Sequence, residues 1–202
     1  MLNLTDSSYY KRAFNFFIFA TVILVITIVL AYFFSPSIET IKQAGEKSPD
    51  RVSGTEGLEK VWGFIVSNAF SVTYQAVILS IIPIPYLYSI HLLATAIIPG
   101  LMLGFIVNFD TYKGFIGIIS YIPHYILEVG GHCLVLSGLY MINKCIRRKI
   151  TNIFRKEKKV DISFRNVVLN FCKVFVCIAL PVFIIAAFTE TYIADFLFKL
   201  MT

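Results

Sequence analysis

Cysteine has little to do in this sequence. Of the four present, Cys133, Cys172 and Cys177 lie inside apolar runs and Cys145 at the edge of one, so none is placed for an extracellular disulfide. The Cys172 to Cys177 spacing is not that of a zinc clip, and all four read as reduced and structural. Charge is scarce too: 15% of the 202 residues are Asp, Glu, Lys or Arg, against 57% hydrophobic, with a mean hydropathy of +0.77. A soluble domain is excluded, because one core of this size cannot bury so much apolar surface. There is no visible internal repeat. No A-x-A cleavage site follows the first apolar run, which reads as an anchor. No Ser–His or paired-Asp arrangement supports covalent or acid–base hydrolysis. A net charge of +6 would suggest nucleic acid in a soluble protein. Here the cations gather between two apolar runs, where orientation in a membrane explains them and no nucleic acid is needed.

What the sequence has instead is five apolar runs long enough to cross a bilayer, at 13–34, 61–82, 86–107, 114–143 and 167–188. They predict an all-α, polytopic transmembrane bundle forming a single membrane domain over 1–202. The polar segment 35–60 mixes acidic and basic residues to near neutrality, and Ser53 to Glu56 has capping-box spacing. Pro83 and Pro85 force a tight turn between the second and third runs. Gly100 and Gly104 in the third form a small-residue surface for close helix approach. The connection 144–166 holds Lys144, Arg147, Arg148, Lys149, Arg155, Lys156, Lys158, Lys159 and Arg165 against only Glu157 and Asp161. The positive-inside rule makes it cytoplasmic. Counting back through four spans puts Lys11, Arg12 and the N-terminus inside and 35–60 outside, so the C-terminus is extracytoplasmic. Past Glu190, the residues Ile193, Phe196, Leu197 and Leu200 recur on one face and predict a short interfacial helix.

The fourth run, GFIGIISYIPHYILEVGGHCLVLSGLYMIN, carries the polar residues around which the others are read. His124, Glu128 and His132 are spaced four apart and share one helix flank within roughly 80° of arc. An ionisable side chain inside lipid costs about 2.5–3.5 kcal/mol on insertion scales, so such a row marks a site. Pro123 is expected to break or kink the helix just before it. Counted from the inner ends of their spans, His91 and Lys173 lie roughly 8–10 Å deep and His132 slightly deeper. One polar layer follows, with Glu128 just above it. Lys173 is the cation available within the spans, so a Glu128–Lys173 pair is expected.

Several functions compete for this layer. Two His and a Glu suit zinc, yet H-x-x-x-E-x-x-x-H is not the H-E-x-x-H motif, and Gly130 and Gly131 loosen the helix between ligands. No catalytic residue, cofactor or metal is therefore assigned. Midplane polar groups beside a proline suit a proton or solute path, but there is no internal repeat, and five spans would need a homodimer to line one. The third reading is that the polar side chains satisfy one another between helices and fix the packing.

The run Pro123-His124-Tyr125-Ile126-Leu127-Glu128 resembles the P-H-G-I-x-E signature of the stage II sporulation protein M family of integral membrane proteins. Tyr125 stands where that signature has glycine. Asn68 falls where the family has an asparagine in its second span. Gly100, Gly104, Asn108 and Gly114 resemble its glycine and N-x(n)-G pattern, and AAFTE, ending at Glu190, resembles its closing small-residue run and glutamate. The similarity covers about 61–196. It implies a non-enzymatic membrane component. In spore formers such proteins anchor peptidoglycan-degrading partners for engulfment. Relatives in other bacteria occur with ABC transporters or in circular-bacteriocin clusters linked to production and immunity. The expectation is a scaffold or accessory subunit in a bacterial cell membrane, working with membrane or cell-wall proteins. The alternative is a transporter or immunity protein that uses the polar layer as its path.

Overall fold

The computed structural model describes residues 7–34, 57–194 and 196. These residues form five helices long and apolar enough to cross a membrane: α1 Ser7–Phe33, α2 Gly57–Ile81, α3 Leu87–Phe109, α4 Thr111–Phe154 and α5 Phe164–Ile193. The described structure is all-helical, as the sequence predicts. The capping-box reading at Ser53 to Glu56, and Leu197 and Leu200 of the interfacial helix, fall outside the described residues.

α4 is the axis of the bundle. In its most apolar stretch 61% of residues are buried, against 22–33% for the other four helices, and each of those helices packs on it. α1 and α3 form a tight pair on one side, and α2 and α5 pack together on the other. Large apolar side chains turned outward, such as Phe14, Ile18, Val22, Val25 and Val29 along α1, form the surface that lipid would cover.

The α1–α3 pair shows why small residues matter in lipid, where helices associate through close packing rather than water exclusion. The buried stripe of α1 contains Ala13, Ala20, Leu24, Thr27 and Ala31. Facing it on α3 are Ala96, Gly100 and Gly104. A Cβ on Gly104 would lie 2.6 Å from the Cβ of Ala31, and one on Gly100 2.9 Å from the Cβ of Thr27. The expected glycine contact is thus made, and its partner is the first helix. At the α3–α4 corner, Asn108 Nδ2 donates to the Tyr32 carbonyl at 2.8 Å. A Cβ on Gly114 would come 2.6 Å from the backbone nitrogen of Val107.

The helix ends differ from those expected. α4 has 44 residues, about 66 Å at helical rise, twice the ~30 Å hydrocarbon core of a bilayer. It starts at Thr111, capped by Asp110, which accepts from the Lys113 N–H at 3.0 Å. It continues to Phe154, so Lys144, Arg147, Arg148 and Lys149 sit on a helix and the irregular connection is only 155–163. Reading a span as an apolar run ends it at the first cation, whereas Lys and Arg are themselves good helix formers.

Of the break or kink expected at Pro123, an interruption of the helix does not occur. α4 runs through it without interruption, and the single bond lost to the Ile119 carbonyl does not end the helix. Among the described residues, irregularity falls elsewhere, in three π-helical stretches at Ile65–Val72, Phe175–Ala179 and Thr189–Ala194. The second lies just ahead of Pro181, whose missing N–H leaves the Cys177 carbonyl without its usual donor.

The Pro83–Pro85 turn needs help from α4. It places Tyr86 in the left-handed region at φ 62° and leaves carbonyls pointing inward. Asn143, 1% exposed, donates from Nδ2 to the carbonyls of Ile82 at 2.7 Å and Ser80 at 3.0 Å. Its Oδ1 accepts from Arg147 Nε at 2.8 Å. At the same end of the bundle, Tyr9 Oη donates to the Leu134 carbonyl and Ser137 Oγ to the Tyr9 carbonyl, both at 2.7 Å. These two bonds fasten the start of α1 to α4.

Candidate functional site

Four-residue spacing on a regular helix advances about 40° per step, so His124, Glu128 and His132 form one slanting row on α4. The row faces α5. His124 is 4% exposed, and the Glu128 side chain is 12% exposed. His124 Nε2 lies 2.6 Å from Glu128 Oε2. His132 Nε2 lies 3.8 Å from the other oxygen, Oε1, too far for a direct hydrogen bond and near enough for charge contact.

α5 completes the cluster. Its Ala186 carbonyl is 3.2 Å from His124 Nδ1, and Glu190 Oε2 is 3.5 Å from His124 Nε2. The π-helical stretch Thr189–Ala194 follows directly on Ala186 to Phe188. There the Thr189 N–H reaches both the Ala186 and Ile185 carbonyls, and Thr189 Oγ1 donates to Ala186 at 2.7 Å. At this junction between the α-helical part of α5 and its π-helical end, a carbonyl and a carboxylate meet one imidazole.

The chemistry follows from donor counting. A carbonyl only accepts, so Nδ1 of His124 carries a hydrogen. Nε2 then faces two carboxylates. Either the ring is an imidazolium donating to Glu128, or a protonated Glu128 donates to a neutral ring; both place one shared proton between Nε2 and Oε2. The pairing answers the cost of holding Glu128 in lipid. Among the described residues no three His, Cys, Asp or Glu side chains are arranged to hold a metal ion.

Aromatic rings wall the row. Tyr121 lies 5.8 Å from the His124 ring centroid, and Phe183 of α5 meets the His132 ring edge-on at 4.8 Å. Gly131 makes room for Phe183, since a Cβ there would sit 2.8 Å from its ring. Tyr125 keeps the helical backbone and is 5% exposed. It packs on Phe17, with its hydroxyl 3.1 Å from that of Thr21 on α1.

Two expected members are elsewhere. Lys173 is exposed and makes no ion pair with Glu128 among the described residues; the two histidines take that place. His91 sits at the start of α3, shortly after the Pro83–Pro85 turn whose flanking carbonyls Asn143 binds. Asn143 is about 22 Å along α4 from Glu128, so His91 belongs to the far end of the bundle and not to a shared layer. Asn68 is half-buried in the π-helical stretch of α2. No hydrogen bond joins it to the cluster among the described residues.

Sequence reasoning placed Glu190 in a motif but not in the cluster. The signal was available: consecutive spans α4 and α5 run in opposite directions, so the early part of one and the end of the other share a depth. The fold thus brings the P-H-x-x-x-E run and the AAFTE run, separated by more than fifty residues, onto one imidazole. No curated protein and no solved structure matches the chain. The profile described as Stage II sporulation protein M matches residues 16–195, from the first apolar turns of α1 to just beyond Glu190, and the chain belongs to that family.

Proposed function

We propose that this multi-pass membrane protein is a non-enzymatic scaffold or accessory subunit whose partners supply the chemistry. The observation that carries the reading is the use made of the ionisable row. His124 engages both ring nitrogens inside the bundle, with Ala186 on one side and the two glutamates on the other. Charge spent in this way joins α4 to the end of α5 and sets a unique packing, as a platform for other proteins requires. We place the N-terminus and the 155–163 connection in the cytoplasm and the end of α5 outside, following the positive-inside rule. Partners of the cell-wall remodelling, ABC-transporter or bacteriocin-production type fit this family.

A second reading has one observation in its favour. Glu190, 30% exposed at its side chain, His124, Glu128 and His132 form a continuous file of proton-exchanging groups, which is the form a proton path through a transporter or immunity protein would take.

Mild-detergent purification of tagged protein from its native host, with mass spectrometry of what accompanies it, tests the first reading. Stoichiometric cell-wall hydrolases, transporter subunits or bacteriocin-cluster proteins support it and select the setting. Protein that is consistently partner-free, in wild type as in Glu128→Ala, overturns it.

A further inference from the structure

The helical extension of α4 beyond the apolar run places Lys144, Arg147 and Arg148 along one side, at spacings of three and four residues, and Arg155 follows at its C-terminal cap. The 155–163 connection folds back and adds Lys159. Together they wall a cleft of about 250 Å³. Like charges at such spacing repel, so the fold has to hold them together. Asn152 does this with a two-way clamp, donating to the Lys159 carbonyl at 2.9 Å and accepting from its N–H at 3.1 Å. Arg148 Nη1 donates to the Val160 carbonyl at 2.9 Å, and Cys145 Sγ to that of Ile162 at 3.1 Å. Among the described residues, none of the five cations makes an ion pair with a carboxylate. Arg147 and Arg148 each keep further N–H donors beyond the bonds they make.

The Tyr140 ring is the shared wall between this cleft and a second hollow, a groove of about 540 Å³ between α1 and α3. Lys144 Nζ sits 5.7 Å from the ring centroid and the Arg12 guanidinium 5.5 Å. The groove starts polar, at Arg12 and Ser89, and becomes apolar one to two turns deeper, along Phe16, Phe19 and Leu93. A cluster of cations and an apolar groove meeting at one aromatic residue match the two halves of a single amphiphile.

We propose that this is a binding site for one anionic phospholipid of the leaflet facing the 155–163 connection. The phosphate sits among Lys144, Arg148, Arg155 and Lys159, the glycerol backbone lies beside Tyr140 and Arg12, and one acyl chain runs along Phe16, Phe19 and Leu93. Orientation by the positive-inside rule requires cations on this side but not a cleft that gathers them. A free inorganic anion would leave the groove without a purpose.

The test is binding of phosphatidylglycerol, followed by the thermal midpoint of the purified protein in neutral detergent. The triple variant Lys144→Gln/Arg155→Gln/Lys159→Gln is compared with a charge-matched control, Lys156→Gln/Lys158→Gln/Arg165→Gln. Wild type and control are expected to be stabilised by phosphatidylglycerol and not by phosphatidylcholine. The cleft triple should bind on the order of a hundredfold more weakly, at about a tenfold factor or less per cation near a lipid surface. Equal weakening in both triples means diffuse surface charge and overturns the proposal. Full stabilisation by inorganic phosphate, or by the chain-free glycerophosphoglycerol headgroup, overturns the lipid and leaves a free-anion site. A second arm retains every charge. In a Trp62→Phe background, exposed Phe19→Trp should be quenched by brominated phosphatidylglycerol at a lower mole fraction than by brominated phosphatidylcholine. Equal quenching by the two lipids overturns the groove assignment.

Discussion

Glu190 and His124, from the two ends of the chain's membrane-crossing second half, meet with 3.5 Å between carboxylate oxygen and ring nitrogen. His124 is thereby held from α5 as well as from its own helix, where Glu128 stands 2.6 Å from the same nitrogen. Removing one member of such a set leaves the others charged and unmatched in a low-dielectric setting, which costs more than the set itself contributes.

The first prediction concerns that asymmetry. Glu128→Ala is expected to destabilise the protein by about 3 kcal/mol or more, read as a fall in thermal midpoint in detergent. The double variant Glu128→Ala/His124→Ala should recover part of the loss, because it also removes the imidazole in closest contact with Glu128 and leaves only the longer His132 contact unmade. Glu190→Gln should cost less than Glu128→Ala, given the longer distance and greater exposure of Glu190. Lys173→Met, at an exposed position, is expected to be within about 0.5 kcal/mol of wild type. A cycle with strictly additive effects between His124 and Glu128 would contradict the pairing.

Glycine provides a paired comparison within the same bundle. Gly104→Leu would drive its side chain into α1, where even a Cβ lies 2.6 Å from that of Ala31 and 2.5 Å from the Ile28 carbonyl oxygen. Separation of α1 from α3 is expected, with loss of folded protein in size-exclusion profiles. Gly130 has no neighbour within 4 Å of a built Cβ. Gly130→Ala should leave the fold intact and raise stability by roughly 0.5–1 kcal/mol through helix propensity.

Asn143 is the third. Asn143→Leu removes the donors to the Ser80 and Ile82 carbonyls and the acceptor of Arg147 Nε. The expected cost is about 1–3 kcal/mol for buried groups left unsatisfied. Hydrogen exchange should quicken locally at residues 80–89, while the α1–α3 pair keeps its protection. Uniformly faster exchange across the bundle would show that the role of Asn143 is not confined to this turn.

Much of this architecture is legible in the sequence, because lipid imposes simple rules on it. Runs of apolar residues mark the spans, and paired glycines mark a close contact. Spacing by four puts His124 beside Glu128. Depth along a span can be counted from sequence, but the direction a side chain faces around its helix is fixed only by packing. Lys173 has neither the depth nor the direction to meet Glu128: it is exposed, and its neighbour Phe171 packs at Gly138, about 15 Å along α4 from Glu128. Glu190 has both, and only the packing of α5 on α4 shows it. His91 fails for a different reason: the Pro83–Pro85 turn folds against Asn143 and keeps the first turn of α3 at that end of the bundle. Asn143 itself looks like an ordinary polar residue at a helix end until the carbonyls it serves are in view.

Orientation can be read directly. In a cysteine-free background, Lys158→Cys is expected to resist a membrane-impermeant maleimide in intact cells and to react after permeabilisation, and Lys47→Cys to react in both. The reverse pattern would invert the placement of the basic connection.

The measurement closest to the central claim is proton flux into liposomes containing the purified protein alone, followed with an internal pH dye, for wild type and Glu128→Gln. If the row of His124, Glu128 and His132 is a joint between helices, both proteins leave the flux at the level of protein-free vesicles. Flux above that level in wild type, abolished by Glu128→Gln in protein that remains folded, would contradict the scaffold account and make the same residues a proton path.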